Sequence, residues 1–153
     1  MSDSEKKILQ ELNQLEDNMI QTIQEIVQVK SVADEPTADA PYGTGPKEAL
    51  IKMLDISKRL GFETVNMEDQ IGYAVYGEDT DEDYIASVGH LDVVPEGEGW
   101  KFPPYSAKIE DGYMYGRGVL DNKGPLMTTL FALTDKECRD QTETTRSYRI
   151  WYG

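Results

Sequence analysis

The chain contains one histidine, and His90 stands in the run Tyr84-Ile-Ala-Ser-Val-Gly-His-Leu-Asp-Val-Val. The β-branched and apolar residues before it predict a buried strand, with the imidazole at its end rather than in a polar surface loop. Side chains two apart on an extended chain share a face, so Asp92 falls on the same side as His90. A carboxylate there can accept a hydrogen bond from one imidazole nitrogen, fix its tautomer and leave the other nitrogen to ligate a metal. On spacing alone, a satisfied structural His–Asp pair is the commoner outcome. A second carboxylate, Asp121, lies in Tyr115-Gly-Arg-Gly-Val-Leu-Asp-Asn-Lys-Gly-Pro125, at the mouth of a helix, where glycines let the backbone approach another group closely. Aspartate is also a favoured N-cap. With Pro125 read as the first helical residue, Asp121 is too far upstream for the simplest cap and is free to point elsewhere. A carboxylate near a His–Asp pair suits a two-metal site, because one carboxylate can bridge cations roughly 3.5 to 4 Å apart.

The elements that must bring these residues together are legible in the periodicity. Ile8, Leu12, Leu15, Met19, Ile23 and Ile26 recur at three- and four-residue intervals, which predicts an amphipathic helix over about residues 4–29. Residues 34–46 hold three prolines and two glycines with no period, and read as a loop. Pro46 suits a first helical position and Gly61 a left-handed C-terminal cap, with Ala49, Leu50, Met53, Leu54 and Leu60 between them: a second helix over about 46–60. Short β-branched or aromatic runs follow at 64–67, 72–77 and 84–89, separated by acidic turns. Asp111-Gly112 at the centre of Ala107–Tyr115 is the chemistry of a two-residue hairpin turn. Pro125 opens a third helix with Leu126, Leu130 and Leu133 on one face, and 147–152 reads as a last strand. This order predicts an α/β layer structure. The chain ends directly after that strand, which suits a sequence that has been cut, and equally a natural C-terminal strand tied into a sheet.

Composition narrows the partners. With 29 acidic against 15 basic side chains the net charge is −14, which repels phosphate backbones and anionic lipid heads, so neither nucleic acid nor a membrane is expected as a partner. The first residues lack the apolar core of a secretion signal and no apolar run is long enough to span a bilayer, so the expectation is a soluble, cytoplasmic protein. The single cysteine, Cys138, has no internal disulfide partner and sits in a charged stretch, as a plain exposed thiol would.

Taken in order, Gly89-His-Leu-Asp-Val-Val-Pro, Gly99-Trp-Lys-Phe-Pro-Pro-Tyr, Asp111-Gly and Gly116-Arg-Gly-Val-Leu-Asp-Asn-Lys-Gly-Pro125 resemble the co-catalytic metal signature of a large peptidase and deacylase family. That family includes aminoacylase, glutamate carboxypeptidase, acetylornithine deacetylase and succinyl-diaminopimelate desuccinylase. The Asn-Lys-Gly-Pro after Asp121 and the upstream Ala40-Pro-Tyr-Gly-Thr-Gly-Pro46 look most like its PepV-type dipeptidases, and the resemblance covers essentially the whole chain.

The resemblance implies that His90 ligates one metal, that Asp121 bridges two, that Asp92 supports His90 from behind as part of the catalytic apparatus, and that the peptide bond after Asp121 is cis. It implies two divalent cations, zinc in the first place and manganese as the alternative, and a dipeptide or small peptide as substrate. It also implies a layered α/β fold, helices on a mixed central sheet as in phosphorylase/hydrolase-like metallopeptidase catalytic domains, incomplete at its C-terminal end. On this reading residues 1–153 are the N-terminal part of the catalytic domain. The family's general-base glutamate, its remaining ligands and its lid or dimerisation domain then lie downstream, and the chain alone is inactive. Glu96 and Glu98, the nearby candidates to replace the missing glutamates, sit in a glycine-rich loop and are expected to face solvent. An N-acyl amino acid deacylase of the same family, or a non-catalytic fragment or interaction module, remain the alternatives.

Overall fold

In a computed structural model of the chain, residues 2–77, 84–134 and 147–153 are described, without the side chains of residues 3, 4, 11, 12 and 14. Cys138 therefore lies outside the described residues. Helix α1 (Asp3–Val27) starts at a capping box, in which Ser2 Oγ accepts from the Glu5 amide and the Ser2 amide donates back to the Glu5 carboxylate. Its periodic face buries progressively. Leu15, Met19 and Ile23 pack half-buried against the core, and Ile26 and Val27 are fully enclosed.

Helix α2 (Thr44–Arg59) is capped by Gly43 and so begins two residues before Pro46, the expected first residue. Proline tolerates this third helical position as readily as the first, because none of the opening amides has an intrahelical acceptor. Gly61 closes the helix at φ +90°, as its left-handed role requires. Strands β1 (Glu63–Met67), β2 (Ile71–Tyr76), β3 (Tyr84–Gly89) and β6 (Ser147–Tyr152) form one sheet in the order β1-β2-β6-β3. The pairs β1/β2 and β2/β6 are antiparallel and β6/β3 is parallel, so the sheet is mixed. A separate hairpin joins β4 (Lys108–Glu110) to β5 (Tyr113–Tyr115). Both of its turn residues, Asp111 and Gly112, have positive φ, as the Asp-Gly pair predicts. Helix α3 (Lys123–Ala132) lies between the hairpin and β6 in sequence.

The three helices share one core with one face of the sheet. Ile26, Met53, Ile56, Leu126, Leu130 and Phe131 meet Ala74 of β2 and Ile150 and Tyr152 of β6. Tyr152 is wholly buried, and its hydroxyl lies 3.1 Å from Ser57 Oγ, which also bonds the Met53 carbonyl. On the opposite face Tyr73 and Trp151 stack across β2 and β6 with ring centroids 4.5 Å apart.

One expectation needs correction. Strand β3 is not buried: Tyr84, Ile85 and Val88 are exposed, Val88 by 78%. It is an edge strand among the described residues, paired only with β6, so an apolar sequence does not guarantee cover. The last strand is tied into the sheet, since β6 runs between β2 and β3.

Candidate metal centre

The site is built where the end of β3 meets the mouth of α3. Beyond Gly89 the chain stays extended and the ladder with β6 continues, the Leu91 amide donating to the Gly153 carbonyl at 2.7 Å. On its other side the same stretch is held by Ser31, whose hydroxyl donates to the Leu91 carbonyl at 2.6 Å and whose carbonyl accepts from the Val93 amide at 3.0 Å. Leu91 and Val93 are buried, and alternation turns His90 and Asp92 together toward the outside.

His90 Nδ1 faces two acceptors of Asp92, the carboxylate Oδ1 and the main-chain carbonyl, each at 3.1 Å. With only acceptors in reach this nitrogen carries a proton and donates. The Nε2 side then points at Asp121, whose Oδ1 is 3.2 Å away. The structure thus brings all three expected site residues together, although 31 positions separate His90 from Asp121. His90 is 47% and Asp121 82% exposed at the side chain, so the gap between them opens to solvent. The carboxylates sit on opposite nitrogens of one ring and do not converge on a single point.

Asp121 is not the cap of α3. That position belongs to Asn122, because the helix starts at Lys123, two residues before Pro125. The Asp121–Asn122 peptide is cis, as the resemblance implies. Gly118 in the preceding turn has φ +89°, and a Cβ there would lie 3.0 Å from Val93 and 3.1 Å from the stem of Lys123. Only a glycine lets the turn close against both the His90 segment and that lysine.

The electrostatics of the site centre on His90 and Lys123. Burial alone pulls the His90 pKa down and is the largest single influence. The hydrogen bonds to Asp92 and Asp121 and the charges of the two carboxylates outweigh it, so the net value lies above that of an ordinary imidazole. Lys123 is fully buried with its ammonium 2.7 Å from the Val29 carbonyl. Burial lowers its pKa to about 8, with the charge of Asp92 opposing the shift.

Sequence reasoning gave no role to Lys123 or Arg117, and it misplaced Glu96. Rather than facing solvent, Glu96 accepts from Lys30 and from the Tyr105 hydroxyl, both at 3.0 Å. Its carbonyl accepts from Trp100 Nε1 at 2.7 Å and from Arg117 at 3.2 Å. Arg117 also stacks over the Trp100 ring, so the 95–100 loop is tied to the turn that carries Asp121. Glu98 is exposed, as expected. The charges that hold Glu96 were visible in sequence, but the partners lie 9 to 66 positions away and no local pattern announces them.

A cleft of about 240 Å³ opens between the two segments, walled by His90, Asp92, Val94, Arg117, Leu120 and Asp121. A larger cavity of about 310 Å³ lies on the far side of Asp92, but it holds no imidazole, and the charged Lys47 and Asp69 at its rim pair with each other at 2.9 Å. The smaller cleft is therefore the one that brings the imidazole and two carboxylates together. Its imidazole nitrogen and carboxylate oxygen, 3.2 Å apart, are close enough to share a cation with bonds of about 2 Å. Both donor types suit zinc, and the Nδ1 bond to Asp92 is the support a metal-ligating histidine requires. Among the described residues no third histidine, cysteine or acidic side chain joins them.

Residues 86–146 match the sequence model of peptidase family M20/M25/M40. Over that stretch the chain is similar to this family. It is 39% identical over 119 residues to a Bacillus subtilis protein named "Putative dipeptidase YtjP", covering 76% of this chain and 25% of that protein. It is 36% identical over 120 residues to the Beta-Ala-Xaa dipeptidase of Lactobacillus delbrueckii subsp. lactis, with the same coverage. The chain thus spans about a quarter of the length of the curated relatives it matches. Human carnosine dipeptidase 1 superposes over 96% of the chain and 34% of its own, with a TM-score of 0.75 and 24% identity, which shows the shared fold.

Proposed function

We propose that this chain supplies one corner of the active site of a metal-dependent dipeptidase, in which His90 and Asp121 ligate divalent cations and Asp92 holds His90 in place. The observation that carries the reading is the His90 ring itself, with one nitrogen fixed by Asp92 and the other turned at 3.2 Å onto a carboxylate that is otherwise open to solvent. The match to family M20/M25/M40 and the dipeptidase names of the relatives support the substrate class.

Each side chain has a distinct task. Asp92 accepts the Nδ1 proton, which selects the tautomer with its lone pair on Nε2 and makes that nitrogen a better donor. Asp121, anchored by its backbone at the mouth of α3 and with its carboxylate exposed, has a free oxygen to reach a second cation. Divalent cations bound there, zinc first and manganese as the alternative, would supply the charge that polarises a peptide carbonyl and acidifies water. Proton removal from that water requires a free carboxylate. Asp92 is committed to His90 and Glu96 to Lys30 and Tyr105, so neither supplies it. On this reading the activity belongs to a polypeptide extended to the length of the relatives rather than to these 153 residues alone.

The test is hydrolysis of a panel of dipeptides and N-acyl amino acids, with added zinc or manganese, by the chain and by the extended polypeptide. The expected result is dipeptide turnover by the longer protein only, abolished by His90→Ala and Asp121→Ala. Turnover that survives both substitutions refutes the assignment of the ligands, and turnover confined to N-acyl amino acids refutes the substrate class.

A further inference from the structure

A lysine with no exposed surface is rare, and Lys123 has no carboxylate within hydrogen-bond distance among the described residues; its ammonium meets the Val29 carbonyl at 2.7 Å. Replacing such a group by an apolar one of similar length removes a desolvation cost, so stability alone gives no reason for a lysine here. Its geometry does. The side chain leaves the first turn of α3 two residues after Asp121, passes Gly118 and ends on the short segment that follows α1. That segment also fixes the other half of the site, because Ser31 bonds the Leu91 carbonyl at 2.6 Å and the Val93 amide at 3.0 Å, on either side of Asp92 and next to His90. Residues 29–31 thus grip both the Asp121 turn and the His90 strand end, the first through Lys123 and the second through Ser31.

We propose that Lys123 is a positioning residue, whose bond to Val29 locks the Asp121 turn onto the segment holding His90 and so sets the separation of the two ligands. The inference rests on the reading of His90 and Asp121 as cation ligands given above. Lys123 touches neither cation nor substrate and acts only through the backbone it anchors. Gly118 belongs to the same device, since any side chain there would strike the lysine stem at 3.1 Å.

The test compares the wild-type chain with Lys123→Met, which keeps the length and removes the donor, and with Ser31→Ala, which removes the hydroxyl bond to the Leu91 carbonyl and keeps the backbone bond to Val93. His90 is the only imidazole, so its ring ¹⁵N signals report the site without assignment ambiguity. Asp121→Ala gives the reference for a ring without its partner. In the metal-free chain at fixed pH, Lys123→Met is expected to move the His90 Nε2 signal toward the Asp121→Ala value while the melting temperature stays at or above wild type. On titration with zinc it is expected to bind about 10- to 100-fold more weakly. Ser31→Ala is expected to move the same signal in the same direction, and decides the matter should Lys123→Met not fold. A wild-type His90 signal in the folded variants overturns the proposal. Failure of the wild-type chain itself to bind zinc at His90 would instead overturn the metal reading, and the metal-free signal would still judge the role of Lys123.

Discussion

Substituting Gly89, the residue before His90, by alanine should loosen the site and the fold together. The glycine sits where β3 passes under the first turn of α3. A Cβ built there would lie 2.5 Å from Asn122 Oδ1, 2.5 Å from Leu126 Cδ2 and 2.7 Å from Leu126 Cγ. Carbon atoms pack at about 3.5 Å, so α3 or the Leu126 side chain must retreat by about 1 Å. Asn122 can turn its amide away, but Leu126 is 2% exposed within the core and has nowhere to rotate without displacing a neighbour. Overpacking of this kind costs about 1 to 3 kcal/mol. For a chain of this length that is a fall of about 3 to 10 °C in melting temperature. Asn122 adjoins Asp121, so a retreat of α3 carries the carboxylate with it and opens the 3.2 Å gap to His90 to about 4 Å. Circular dichroism melting and the ring signals of His90 measure both effects. An alanine variant that melts within about 1 °C of wild type and leaves the His90 ring unperturbed would refute the packing argument.

Other perturbations test separate parts of the account. Tyr152→Phe removes the hydroxyl facing Ser57, which keeps its bond to the Met53 carbonyl, so the expected loss is about 0.5 to 1.5 kcal/mol, read by chemical denaturation. The folded state raises the His90 pKa. The contribution of its carboxylate partners to stability is therefore full below the ordinary imidazole value of about 6.5 and is lost as pH rises through the folded value. Melting wild type beside Asp121→Ala across that range should show the difference shrinking as pH rises. A proton and a cation compete for Nε2, so zinc affinity should climb over the same interval, which calorimetry measures. Burial first and the Glu96 carboxylate second push the Tyr105 phenol up to about 12, and Glu96→Gln should bring it down toward 10 in an NMR titration.

Much of this was readable in the chain because the signals were local. The Asp111-Gly112 turn, the Gly61 cap and the period of α1 each depend on residues a few positions apart, and each sits where expected. Both prolines were misplaced by two residues for one reason: a helix leaves its first amides unpaired, so proline marks the first turn without marking its first residue. The burial of β3 was misread because hydrophobic character says which strands could be covered, whereas exposure depends on what lies beside them. At the site, His90 and Asp92 were paired by the two-residue period of an extended chain, and Asp121 joined them through the ordered motifs of the family rather than through any spacing rule. The grip of Ser31, the buried ammonium of Lys123 and the hold of Arg117 on the 95–100 loop left no trace in the pattern. They join segments 21 to 94 positions apart, and a lysine is ordinarily read as surface.

Anomalous diffraction from crystals of the chain soaked in zinc bears most directly on the whole account. A peak lying about 2.0 to 2.2 Å from both His90 Nε2 and an Asp121 oxygen, with Asp92 still bonded to Nδ1, is the predicted result. Zinc bound elsewhere while His90 and Asp121 keep their direct contact, or a His90 ring turned out of the cleft, would contradict it.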